Sequence, residues 1–123
     1  MNYDNSKPIF QQIADKFCEQ ILQKSLKAND RIPSVRELAV SMEVNPNTIM
    51  RTYQYLQDKN IVYNKRGIGF FVNDNAYQTV LKIKKEEFLN KDLPLFIKKA
   101  KLLNLDLNEI INNYKNSNNN ENK

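Results

Sequence analysis

Apolar residues first recur at helical spacing. Ile9, Ile13, Phe17 and Ile21 repeat every four residues, with Phe10, Ala14, Cys18 and Leu22 beside them. A stripe this wide predicts a helix over residues 9–22 rather than a strand. Pro8 sits where a first-turn proline is tolerated, with Ser6 or Lys7 in the cap region. Residues 27–32 are polar and read as a connector. Ser34-Val35-Arg36-Glu37 is a capping box: the Ser34 hydroxyl can accept from the Glu37 amide, and the Glu37 carboxylate from the Ser34 amide. Pro33 keeps that helix from starting earlier, and Val35, Leu38, Ala39 and Met42 give it about two turns. Glu43-Val44-Asn45 is a tight connection. Asn45 is a good N-cap and Pro46 a good first helical residue, so a third helix is expected over 46–59. Its inner face carries Ile49, Thr52, Tyr53 and Leu56. Its outer face carries Asn47, Met50, Arg51, Gln54 and Asp58. Two short helices joined by about four residues form a helix-turn-helix pattern.

The period then changes. Ile61-Val62-Tyr63 and Phe70-Phe71-Val72 are short β-branched and aromatic runs flanking the turn segment 64–69. That segment holds Gly67 and Gly69, both glycines of the chain. Glycine serves where φ is positive or where the backbone approaches something closely. A hairpin tip with Lys65 and Arg66 beside two glycines suits approach to a phosphate backbone. Helical spacing returns over 76–89, again over 93–103 with Asn104 as a left-handed stop, and finally from Leu107 to Tyr114 behind the box-like Asp106-Leu107-Asn108-Glu109. From Lys115 the chain is Asn- and Lys-rich without apolar residues, which predicts a disordered tail. The expected organisation is a winged helix-turn-helix over 1–73, a helical region over 74–114 and a polar tail over 115–123. The fold class is mainly α with a small β-hairpin.

Composition narrows the chemistry. The chain has 123 residues, a net charge of +5 and no His, which removes imidazole catalysis and His metal ligands. Its one cysteine, Cys18, rules out an intrachain disulfide or a Cys metal cluster and reads as a buried small hydrophobe. Two glycines are too few for a P-loop or a dinucleotide fingerprint. An enzyme is therefore not expected, nor any cofactor or metal. No apolar run reaches the ~18 residues of a membrane span, and residues 1–6 are polar, so the expectation is a cytoplasmic protein off the membrane. The positive balance suits a polyanion. It is not concentrated in the C-terminal part, where residues 73–123 hold nine Lys against seven acids, an ordinary solvated surface.

Helix, helix, helix, hairpin is the order of a winged helix-turn-helix, whose third helix enters the major groove with the hairpin flanking it. In such a placement Asn47 can bond a base edge bidentately, Arg51 can reach guanine or phosphate, and Thr48 suits phosphate. Arg36 lies in the first turn of its helix, where a cation opposes the macrodipole and an anionic ligand would relieve it.

Three stretches carry a family likeness: Arg31-Ile32-Pro33-Ser34-Val35-Arg36-Glu37-Leu38-Ala39, Val44-Asn45-Pro46-Asn47-Thr48-Ile49-Met50-Arg51-Thr52-Tyr53 and Arg66-Gly67-Ile68-Gly69-Phe70-Phe71-Val72. Together they resemble the GntR family of bacterial transcription regulators, and residues 45–53 with the short C-terminal region resemble its YtrA subfamily. The resemblance implies DNA contacts by Arg36, Asn45, Asn47, Thr48 and Arg51, and by the wing residues Lys65, Arg66, Gly67 and Gly69. It implies a homodimer on a double-stranded, palindromic operator, most often as a repressor. The family wing usually continues Gly-Thr-Phe-Val; Phe70 stands in place of the Thr and removes a phosphate-bonding hydroxyl. The resemblance also assigns dimerisation to the C-terminal helices. Their Tyr77, Val80, Leu81, Phe88, Phe96 and Ile97 must be buried either in a partner or back on the DNA-binding domain. The competing reading is a winged-helix module for protein assembly without specific DNA binding. The sequence points to no particular small-molecule effector.

Overall fold

The computed structural model describes residues 6–121. The chain divides into two compact units, Met1–Lys84 and Lys85–Lys123. Residues 1–5 and 122–123 lie outside the described residues. They include most of the polar N-terminal stretch and the last of the predicted tail.

In the first unit, α1 spans Ile9–Leu22 and buries Ile13, Ala14, Phe17, Cys18 and Ile21, the stripe expected from spacing. Pro8 is the N-cap rather than the first helical residue; its carbonyl accepts from the Gln11 and Gln12 amides. β1 is Arg31–Ile32, α2 Val35–Met42 and α3 Pro46–Asp58. β2 is Val62–Lys65 and β3 Gly69–Val72. They form a three-stranded antiparallel sheet in the order β1-β3-β2, with Ile32 opposite Phe70 and Lys65 opposite Gly69. Two differences from the sequence reading stand out. The stretch read as a connector contributes a third strand, and both hairpin strands reach further toward the tip, shortening the loop to 66–68. Both arise from cross-strand pairing, which has no local sequence period when a strand is two residues long.

The core joins α1 to Ile49, Tyr53 and Leu56 of α3, to Ile32, Ile61, Val62 and Val72 around the sheet, and to Ala39 of α2. Its buried polar residue, Thr52, donates its hydroxyl to the Thr48 carbonyl at 2.9 Å, with the Phe10 carbonyl 3.1 Å away. The Tyr53 hydroxyl donates to the Pro33 carbonyl at 2.6 Å. These bonds satisfy polar groups whose burial would otherwise cost about 1–3 kcal/mol each.

α4 (Ala76–Glu87) begins in this unit, which moves the boundary from the expected 73/74 to 84/85. Ala76 and Val80 are buried in the core, and Tyr77 and Ile83 pack against it. Lys84 at the end of this stretch pairs with Asp15 of α1 at 2.6 Å, and Asp15 also pairs with Lys7. Val80 is therefore corrected as a dimerisation residue: it is fully buried against its own chain and has no surface to offer a partner. Tyr77 and Leu81, expected in the same role, are half-buried.

In the second unit a π-helical turn, Phe88–Asp92, runs into α5, Leu93–Leu102. Pro94 lies in the first turn of α5 and lacks an amide, so the ordinary helical bond back to residue 90 cannot form. The wider turn stands where that bond is missing. Asn104 closes α5 in the left-handed region, as expected. α6 spans Leu107–Glu121, opened by the Asp106 carboxylate accepting from the Asn108 amide. Helix thus runs over residues 115–121, where the composition predicts a disordered tail. After Pro94 the chain has no Gly or Pro to stop a helix once nucleated. No helix among the described residues is long and apolar enough to cross a membrane.

Candidate nucleic-acid interface

The interface is built from two helix starts and one hairpin. At the first start the capping box is complete: Ser34 Oγ accepts from the Glu37 amide at 3.1 Å, and Glu37 Oε1 accepts from the Ser34 amide at 3.0 Å. The bonds to Ser34, from its amide and then its hydroxyl, hold the Glu37 carboxyl below its ordinary range, with Arg31 adding a smaller effect. Arg36 is exposed in the same turn. The Glu37 carboxylate is engaged by the Ser34 amide, and Arg36 stands beside it as an exposed cation.

α2 stops at Glu43, which adopts φ 57° and ψ 43°. The Val44 amide reaches the Ala39 carbonyl and the Glu43 amide the Val40 carbonyl, a Schellman closure. The chain then opens α3 at Asn45, whose Oδ1 accepts from the Asn47 amide at 2.8 Å. Asn45 is thus committed as a cap, and its side-chain amide is left to face outward. Asn47, Met50, Arg51, Gln54 and Asp58 are exposed, while Ile49, Thr52, Tyr53 and Leu56 are buried, dividing α3 as its spacing predicted. Thr48 is half-buried at the boundary. The guanidinium of Arg51 lies 4.3 Å from the centroid of the Phe10 ring. Phe10 is steadied in turn by the edge of Tyr55 at 6.3 Å.

The wing is rooted on α3. Phe70 meets Tyr53 edge-on at 4.9 Å, so the residue that departs from the family pattern contributes packing. Tyr53 is buried, and its hydroxyl pKa is raised by that burial and by the Glu37 charge. Lys65 and Arg66 are exposed at the tip. The Lys65 ammonium is 6.0 Å from the Phe71 ring, which stacks on Tyr63. The Ile68 amide closes the turn on the Lys65 carbonyl at 2.8 Å. Gly67 has φ +80°, which a side chain would resist, and open space around it. Gly69 has φ +146°, and a Cβ there would stand 3.1 Å from Arg31 Nε.

That contact brings out two residues the sequence reading did not assign to the site. Arg31 crosses the root of the wing, and its signal was its place at the head of the first motif. Phe10 sits under Arg51, and nothing in a linear reading links residues on separate helices. Arg36, Asn45, Asn47, Thr48 and Arg51 fall on two helices packed on each other, and Lys65, Arg66, Gly67 and Gly69 on the hairpin rooted at Tyr53. The ion pairs that Asp15 makes are with Lys7 and Lys84 and involve none of these cations.

Comparison with known proteins agrees with this arrangement. Residues 9–72 match the model of the family described as "Bacterial regulatory proteins, gntR family". YhcF, an uncharacterized HTH-type transcriptional regulator of Bacillus subtilis (strain 168), is 37% identical over 92% of both chains. The HTH-type transcriptional repressor YtrA of the same organism is 38% identical over 63% of this chain and 59% of its own. Among solved structures, a GntR family transcriptional regulator from Listeria monocytogenes superposes with a TM-score of 0.73. That match has 34% identity over 93% of this chain and 98% of the other.

Proposed function

The chain belongs to the gntR family of bacterial regulatory proteins, as a DNA-binding winged-helix transcription regulator and not an enzyme, and from that premise we propose that it is a homodimeric repressor of the YtrA type. In this reading it works in the cytoplasm. α3 enters the major groove of a palindromic operator, and the wing loop lies against the flanking backbone. The observation that carries the reading is the division of α3: one face fully committed to the core, the other exposed with Asn47, Arg51 and Gln54, beside a hairpin ending in Lys65 and Arg66.

Each residue then has a physical role. Asn47 presents an amide to base edges, and Thr48 and the free amides at the start of α3 meet phosphate. Arg36 meets phosphate at the start of α2. The glycine-bearing loop brings Lys65 and Arg66 close to the backbone, with Arg31 behind them. Repression needs no chemistry: occupancy of the operator excludes other proteins from it. The repressor assignment follows the name carried by the YtrA relative.

Dimerisation is supported by the second unit. Among its described residues none is buried, while Phe88, Leu89, Leu95, Phe96, Ile97, Leu102 and Leu103 are exposed. An apolar set of this extent on one short unit fits a second copy. Sedimentation of the protein alone and with a selected operator tests the reading. A dimer that binds one duplex as a 2:1 complex is expected. A monomer that binds one half-site at a time would overturn the dimeric part.

A further inference from the structure

α3 carries an apolar side chain on the face that is otherwise polar. Met50 is 57% exposed, between Asn47 and Gln54 along the helix. Successive residues turn by about 100° around a helix. Asn47 and Gln54 therefore stand near the middle of the exposed face, with Arg51 to one side and Met50 to the other. The structure differentiates those two sides. Arg51 is on the side of α1, where its guanidinium is drawn over Phe10, and the Phe10 carbonyl lies 3.1 Å from the Thr52 hydroxyl. Aromatic contact of this kind fixes a cation without discharging it, leaving the N–H groups to face an anion. Met50 has no such tether and points away from α1.

We propose that Met50 is a specificity-determining residue that reads thymine methyl groups in the major groove, while Arg51, held over Phe10, grips backbone phosphate. The inference rests on the operator-binding reading above. Thymine is the base that presents a methyl group in the major groove, and an apolar side chain is its complement. Methionine suits the task because its unbranched thioether adapts to the methyl's position. A guanidinium held to the flank of the helix is placed for the strand beside the groove rather than for a base edge at its floor. Asn47 is left to make the polar base contact.

The test uses the full-length protein and a duplex enriched from random DNA. Each thymine in the half-site is replaced in turn by uracil, which deletes the methyl and leaves every hydrogen-bonding group. Binding should weaken about fourfold at one or two positions, the effect of losing one buried methyl. Met50→Ala, an exposed substitution that leaves the core intact, should bind the thymine and uracil duplexes equally. Arg51→Ala should weaken all duplexes by a common factor and lower the salt dependence by about one phosphate. Equal affinity of the unaltered protein for thymine and uracil duplexes would overturn the role of Met50. A changed base preference in Arg51→Ala would overturn the phosphate assignment. Failure of the protein to enrich any duplex would instead refute the operator-binding reading itself.

Discussion

At the residue scale, the placement of glycine is informative. α1, α2, α3 and α5 all end in Schellman closures, and the left-handed residues are Lys24, Glu43, Asn60 and Asn104. Glycine, the usual occupant of that position, appears in none of them. Both glycines are at the wing, where Gly67 and Gly69 take positive φ. Left-handed backbone costs a side chain with Cβ about 1–2 kcal/mol, partly offset by the entropy glycine adds to the unfolded chain. Glu43→Gly should therefore stabilise the protein by about 0.5–1 kcal/mol, read as a rise in the urea midpoint at constant slope. Gly69→Ala should do the reverse by more than 1 kcal/mol, because the new Cβ meets Arg31 as well as the unfavourable φ. It should also weaken DNA binding by displacing the wing tip.

At the element scale, α2 is held by its first turn. The Glu37 carboxyl lies below its ordinary range because the ionised form accepts the Ser34 amide and is favoured by the Ser34 hydroxyl. A carboxylate whose folded pKa is depressed stabilises the fold above its unfolded value and loses that contribution as pH falls through the folded one. Acid titration by circular dichroism should show this loss as the pH falls below the ordinary carboxylate range, and Ser34→Ala should blunt it. The same substitution should cost about 1 kcal/mol at neutral pH, the usual worth of an N-cap.

The elements that rest on local signals were legible in the chain: the stripe of α1, the box at Ser34, the Asn45-Pro46 start of α3 and the two glycines of the wing. Others depend on partners distant in sequence. β1 is two residues, Arg31 and Ile32, and exists because Phe70 and Phe71 pair with it. Val80 has the same apolar appearance as Leu81, and only the tertiary fold separates the buried one from the half-buried one. Nothing in the segment around Phe10 announces the Arg51 guanidinium above it. The Asn-rich end misled in a different way: its composition resembles a disordered chain, whereas its lack of Gly and Pro lets α6 continue.

At the scale of the whole molecule, charge and apolar surface answer different needs. Of the net +5, residues 73–123 contribute +2 from nine Lys and seven acids, so the basic excess is general rather than confined to one patch. General charge draws the protein to DNA; specificity then has to come from α3 and the wing. The exposed apolar side chains of the second unit serve a second copy in the proposed dimer. Phe96→Asp combined with Ile97→Asp should shift sedimentation to the monomer without lowering the stability of the first unit. It should weaken binding to a two-half-site operator by about 100-fold or more, as bivalent attachment is lost.

The most direct test of the central claim is selection of bound duplexes from random DNA by the purified protein at physiological salt. Enrichment of a single palindrome, with half-sites one or two helical turns of ~10 bp apart, is the predicted result. Recovery of unselected sequence, or binding that disappears at that salt, would contradict it and leave only non-specific attraction to the phosphate backbone.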